Sequence, residues 1–205
     1  TRLGKTDNPF EYDIEEFENS GAENVSYQVV DEFKLDVQKP SALAVAPNDN
    51  WIVGGEGALQ IYSPSMELQT EITVPHPVFA VTTDDSGRVY AAMREHFRVY
   101  QPDGQLLLTS DYSGATSYFT SIAVHENRVV IADAGNRIVK VFDRTNGEQI
   151  DTIRKKDEDA GVPEFVIPSP YFDLAIDEQG FLWVVNPGRH MLENFTLEGD
   201  FRTQW

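Results

Sequence analysis

The sequence predicts an all-β fold made of one unit written four times. Two observations predict it. Four segments share an apolar–alanine–β-branched triplet: Leu43-Ala44-Val45, Phe79-Ala80-Val81, Ile122-Ala123-Val124 and Leu174-Ala175-Ile176, with the alanines 36, 43 and 52 residues apart. Each triplet then introduces the same succession of short apolar runs and Gly, Asn and Asp turns, the pattern of short antiparallel strands at even spacing.

The lead-in differs from the rest. Asn8-Pro9-Phe10-Glu11 offers an N-cap, a proline at the first helical position and an acid in the first turn. Phe10, Ile14 and Phe17 then fall on one helical face, and Gly21 follows a plausible end, so the spacing predicts a short acidic helix over 9–19 within a lead-in of residues 1–24. Residues 25–37 are rich in Val, Tyr and Phe and read as a strand ahead of the first repeat.

The repeats follow at about 38–74, 75–111, 112–154 and 155–205. After each triplet comes a polar turn: Asn48-Asp49-Asn50, Asp84-Asp85-Ser86-Gly87, Glu126-Asn127 and Glu178-Gln179-Gly180. A second apolar run succeeds it: Trp51-Ile52-Val53, Val89-Tyr90-Ala91, Val129-Val130-Ile131 and Leu182-Trp183-Val184. The third strand alternates and ends in an aromatic: Leu59-Gln60-Ile61-Tyr62, Phe97-Arg98-Val99-Tyr100, Val139-Lys140-Val141-Phe142 and Leu192-Glu193-Asn194-Phe195. A fourth strand closes each unit near Leu68–Ile72, Leu106–Thr109, Ile150–Ile153 and Phe201–Trp205. Four antiparallel strands in a unit of roughly 40 residues make the blade of a β-propeller. Inner strands sandwiched between blades are buried on both faces, which accounts for the continuous apolar runs, while outer strands alternate.

The stretch Ile131-Ala132-Asp133-Ala134-Gly135-Asn136-Arg137-Ile138-Val139-Lys140-Val141-Phe142 strongly resembles the NHL repeat, a propeller-blade unit, and Trp183-Val184-Val185-Asn186-Pro187-Gly188-Arg189-His190 is a weaker copy. The first two blades depart from it, with Gly55-Glu56-Gly57 and Met93-Arg94-Glu95 at the Asp–Gly–Asn–Arg turn. The resemblance spans about residues 38–205 and implies a six-bladed ring; a six-bladed propeller of another repeat type is the alternative. A lead strand with no blade to complete, ahead of four blades that each own an outer strand, sets the expectation of further blades beyond Trp205.

Charge narrows the partners. There are 16 basic and 34 acidic residues, a net charge of −18, and nucleic acid or an anionic membrane surface would repel such a chain. No apolar run approaches the roughly 20 residues of a membrane helix, so the expectation is no nucleic-acid partner and no membrane insertion in this segment. Without cysteine there is no disulfide, thiolate metal site or cysteine nucleophile. There is no nucleotide-binding glycine loop, serine elbow or HExxH motif.

In a propeller, the loops joining second to third strands and those joining successive blades share one rim, and scaffold-fixed loops carry function. On that rim fall the candidate ligand-binding residues His76, Arg94, Tyr118, Arg137, Tyr171, Arg189 and His190. His76, His96 and His190 are candidate zinc ligands that would leave an open catalytic position; calcium in the channel is the other ion considered, given the acid-rich chain. Tyr112, Tyr118 and Tyr171 would suit sugar or peptide if exposed, and Phe119 and Phe172 read as core. Asp84 and Glu126 at the opposite rim read as turn caps, and Asp133 and Asn186 as equivalent hairpin caps. The insert 155–170 is long for this fold.

The expected function is a non-enzymatic binding or assembly module, meeting a protein or small ligand at its rim. The alternative is a metal-dependent lyase or hydrolase in the channel, an activity found among NHL propellers. Resemblance to exported bacterial NHL-repeat proteins, with a first residue other than Met, sets the expectation of a periplasmic or extracellular protein.

Overall fold

Four antiparallel sheets of four strands each make up the described chain. The computed structural model describes residues 32–154, 164–169 and 171–205. The helix expected at 9–19, the lead strand through residue 31 and the insert through residue 163 lie outside the described residues.

Blade one holds β1 (Gln38–Val45), β2 (Trp51–Glu56), β3 (Ala58–Tyr62) and β4 (Leu68–Thr73). Blade two holds β5 (Ala80–Thr83), β6 (Val89–Ala92), β7 (Phe97–Tyr100) and β8 (Leu106–Thr109). Blade three holds β9 (Phe119–His125), β10 (Arg128–Asp133), β11 (Ile138–Asp143) and β12 (Gln149–Ile153). Blade four holds β13 (Leu174–Ile176), β14 (Leu182–Asn186), β15 (Met191–Phe195) and β16 (Phe201–Gln204). Within each blade the strands are ordered as in the chain, and the inner strands β1, β5, β9 and β13 neighbour one another in that order.

Two expectations require correction. Residues 32–37 form no strand, and β1 starts at Gln38. Glu32, Lys34 and Asp36 alternate with Phe33, Leu35 and Val37 in the strand period, but no described strand pairs with this segment; Leu35 and Val37 instead pack against Val53 and Tyr62. The repeat alignment also slips in blade two. Thr83 pairs with Val89 as Val45 pairs with Trp51, Val124 with Val129 and Ile176 with Leu182, so the matching triplet is Val81-Thr82-Thr83. A two-residue slip preserves which face each side chain occupies, so hydrophobic pattern alone does not expose it.

The core is a series of seams between successive blades. Leu59, Ile61, Val78, Val81 and Met93 fill the first. Tyr90, Phe97, Phe119 and Phe142 fill the second, with Phe97 and Phe142 edge to face at 5.2 Å. Val130, Val139, Phe165, Phe172 and Phe195 fill the third. Each large side chain so buried contributes roughly 1.5–3 kcal/mol. Phe165 comes from the end of the long insert, so that part of the insert is core rather than rim loop.

Register makes the two end faces visible. Leu59, Phe97, Val139 and Leu192 hold the same position on β3, β7, β11 and β15; the first three are 0% exposed and Leu192 is 44% exposed. On the opposite side, Leu43 is 62% exposed whereas its equivalents Val81, Ile122 and Leu174 are at most 9% exposed.

Hairpin glycines are fixed by contact. A Cβ on Gly135 would lie 1.9 Å from the Thr116 carbonyl oxygen, and one on Gly188 2.4 Å from the Val166 carbonyl oxygen. Gly57 has a φ of +80° but open space around it. Gly135→Ala should lower the unfolding free energy by about 3 kcal/mol, and Gly57→Ala by about 1 kcal/mol, as measured by urea denaturation.

Candidate functional site

The rim is built from hairpins that differ by blade. Blades three and four close β10–β11 and β14–β15 with four residues, Ala134–Arg137 and Pro187–His190; blade two closes β6–β7 more tightly, with Met93 N–H donating to the His96 carbonyl at 2.9 Å. Arg137 and His190 end the longer turns in the left-handed region, at φ 58° and 55°.

Below these turns lies a polar layer that alternation in the sequence disguised. Gln60, Arg98, Lys140 and Glu193 occupy one register position, opposite Val53, Ala91, Ile131 and Val184. Alternation suggested that they face water, but Gln60, Lys140 and Glu193 are buried and Arg98 is half-buried. In blade three, Lys140 Nζ lies 3.2 Å from Asp133 Oδ2 and donates to the Ser113 carbonyl and Ser117 Oγ at 3.1 Å. Asp133, with no exposed surface, accepts from Tyr118 N–H at 2.9 Å, Ser117 Oγ at 2.8 Å and Asn136 Nδ2 at 2.7 Å. It therefore ties the hairpin to the preceding blade connection.

Blade four places different chemistry at the same positions. Asn186 replaces Asp133 and accepts from Val166 N–H at 3.1 Å. Glu193 replaces Lys140 and is paired with Arg154 and hydrogen-bonded by Asn186 Nδ2 at 3.2 Å. Arg154 also lies over the Phe165 and Phe195 rings. In blade one Gln60 accepts from Tyr62 Oη and donates to Glu71, both at 2.6 Å. In blade two Met93 stands where Asp133 would, and Arg98 makes no hydrogen bond or ion pair among the described residues. Its Nε is buried without a partner, as is the Tyr100 hydroxyl.

The candidate rim residues are placed as follows. His76 and His96 meet edge to face, with ring centroids 5.6 Å apart. Burial lowers the His96 pKa most, Arg98 and His76 lower it further, and Glu95 opposes them. No group of three His, Cys, Asp or Glu able to hold a metal occurs among the described residues, so His190 does not join the other two. The three histidines come from separate rim segments, and only those at the first seam converge. Arg94 is exposed and lies 5.4 Å over the Tyr118 ring, which itself meets Phe79 at 5.0 Å. Arg137 pairs with Glu164 at 3.1 Å, while Arg189 is half-buried and His190 exposed. Tyr112 and Tyr171 are 64% and 81% exposed, whereas Phe119 and Phe172 are core.

At the opposite rim, Asp84 Oδ1 accepts from Ser86 N–H at 2.9 Å and Arg88 N–H at 3.0 Å, capping the β5–β6 turn. Oδ2 accepts from Arg88 Nε at 2.8 Å, Tyr90 Oη at 3.0 Å and Arg144 of the next blade. Burial alone would raise this carboxyl, but the bonds from Ser86, the Arg88 backbone, Tyr90 and the Arg88 side chain outweigh it and bring the pKa down to about 2.

These features define a β-propeller with four-stranded blades. The chain is similar in structure to a streptogramin B lyase (TM-score 0.67, 16% identity, 85% of this chain and 57% of that one). It is also similar to virginiamycin B lyase from Staphylococcus aureus (TM-score 0.64, 13% identity, 80% and 54%) and to Kuenenia stuttgartiensis hydrazine synthase (TM-score 0.66, 12% identity, 87% and 52%). The chain thus spans little more than half the length of these proteins. No protein-family profile and no curated protein matches it.

Because the folded Asp84 pKa lies below the ordinary carboxylate value, the unfolded chain takes up the proton first as pH falls. The stabilisation is full above about pH 4 and is lost between about pH 4 and pH 2. Asp84→Asn should remove that pH dependence and cost about 2 kcal/mol at neutral pH, measured by chemical denaturation across the pH range.

Proposed function

We propose that this propeller is a non-enzymatic binding or assembly module whose working face is the rim carrying the β6–β7, β10–β11 and β14–β15 hairpins. One observation carries the reading. The polar groups beneath the rim in blades three and four are consumed in structural bonds, while the exposed side chains of Arg94, Tyr112, Tyr171 and His190 stand along the rim. Arg94 stacked on Tyr118, with Arg189, His190, Tyr112 and Tyr171, offers cation, hydrogen-bond donor and flat apolar surface together. That combination suits a protein segment or small ligand bearing carboxylates.

The NHL-like turn of blade three supports placing the chain with NHL-type propellers, and the exported members of that group support a periplasmic or extracellular setting. The exposed Leu43 and Leu192, equivalent to buried residues elsewhere, support the expectation of further blades beyond Trp205. The second reading, a metal-dependent lyase or hydrolase in the channel, draws on the contact between His76 and His96. The Arg98 guanidinium beside His96, unpaired among the described residues, opposes a metal cation there.

Titration of ¹⁵N-labelled protein with a hexaglutamate peptide tests the reading. Shift changes should cluster at residues 93–96, 112–118, 134–137 and 187–190, and Arg94→Ala combined with Arg189→Ala should weaken binding about tenfold. No saturable binding, or changes confined to the opposite-rim turns at 84–88 and 126–127, would overturn it. Stoichiometric zinc binding lost in His96→Asn would favour the lyase reading instead.

A further inference from the structure

The strongest unexplained feature is a donor surplus on one strand. Three buried side-chain atoms lack a partner among the described residues: Arg98 Nε, Tyr100 Oη and Arg154 Nε. Arg154 is already neutralised by Glu193. The other two belong to β7, two residues apart and therefore on the same face of the strand. Tyr100 packs in the first seam, so this face looks toward blade one.

Comparison across the repeat identifies what is missing. At the Arg98 position the other blades carry Gln60, Lys140 and Glu193, each hydrogen-bonded, and the two charged ones are each neutralised by a partner. Lys140 has Asp133; the equivalent residue beside Arg98 is Met93, which can neutralise nothing. In blade one the corresponding tyrosine is satisfied by its neighbour, Tyr62 donating to Gln60 Oε1. Arginine has no acceptor atom, so Arg98 cannot serve Tyr100 in that way. A water would accept one of these hydrogen bonds but would leave the charge uncompensated.

We infer that Arg98 and Tyr100 form a carboxylate-binding site at the seam of blades one and two, entered from the rim beside His76 and His96. A carboxylate accepts two parallel N–H bonds from a guanidinium and has a lone pair left for a phenol. Arg98 Nε and the Tyr100 hydroxyl are buried while the rest of the Arg98 side chain is half-buried, so a carboxylate would approach along the exposed part of Arg98 and be screened where it binds. The carboxylate arrives either on a free small acid or on an acidic side chain of a partner. The site rests on the rim reading only for its direction of entry.

Two probes separate the sources: succinate, and a Gly-Glu-Gly peptide with blocked termini, each titrated by NMR into the full chain in low-chloride buffer. Saturable binding of either should move the Arg98 Nε–H resonance. Arg98→Met, similar in bulk and not reliant on an anion, should weaken it at least about tenfold, and Tyr100→Phe about threefold. Succinate binding with no peptide binding assigns the free acid; the reverse assigns a protein side chain. The inference is overturned if neither probe saturates, if the Arg98 resonance stays still, or if Arg98→Met binds as tightly as the parent. The resonance shift needs no substitution, so a poorly folded variant leaves the test intact. Failure here with hexaglutamate still mapping to the rim would sink this site and leave the rim reading standing.

Discussion

The structure depends on one constraint: every blade is a sheet with two apolar faces, and both need cover. A blade alone would expose Leu59 or Phe97 on one side and Val81 or Ile122 on the other. Stacking in chain order is the local solution, because each connection leads directly into the next sheet. The inner strands then sit side by side, and the hairpins gather at one rim without further instruction. The rim is a consequence of the seams, and its side chains are placed only as well as those seams are packed.

Within the seams, apolar contact sets separation and the polar layer sets detail. Asp133 gathers donors from a hairpin and from the preceding connection, so one carboxylate fixes two loops relative to each other. Asn186 does the same for the chain at Val166 in blade four. Such buried groups are tolerated because every charge has a close partner and remaining lone pairs are filled. Blade two breaks that rule at Arg98, and so differs in kind from its neighbours although its strands superpose on the same plan.

Much of this was legible in the sequence. Strand succession, turns and blade number follow from alternation and from Gly, Asn and Asp placement, since these report backbone geometry directly. The capping roles of Asp84, Asp133 and Asn186 were also readable, because short acceptors before a hairpin have little else to do. Blade two was misregistered because a two-residue shift leaves the facing pattern unchanged. The buried polar layer was missed for a related reason: a strand buried on both sides with one paired polar group reads the same as one half in water. The signal was present in the recurrence of Gln60, Arg98, Lys140 and Glu193 at one position. Which histidines converge was not legible, because His76 and His96 meet across a connection whose path no local pattern specifies.

The reversal of charge between blades three and four has a consequence for folding. Four similar units on one chain invite mispairing, as any blade face would accept any other on apolar grounds alone. Lys140 answers an acid on its own hairpin, whereas Glu193 answers Arg154 at the end of the preceding blade's outer strand. The junction of blades three and four thus carries its own key, because a fourth blade docked elsewhere would bury Glu193 without Arg154. Blade four can share its scaffold with the other blades and still be told which neighbour to join.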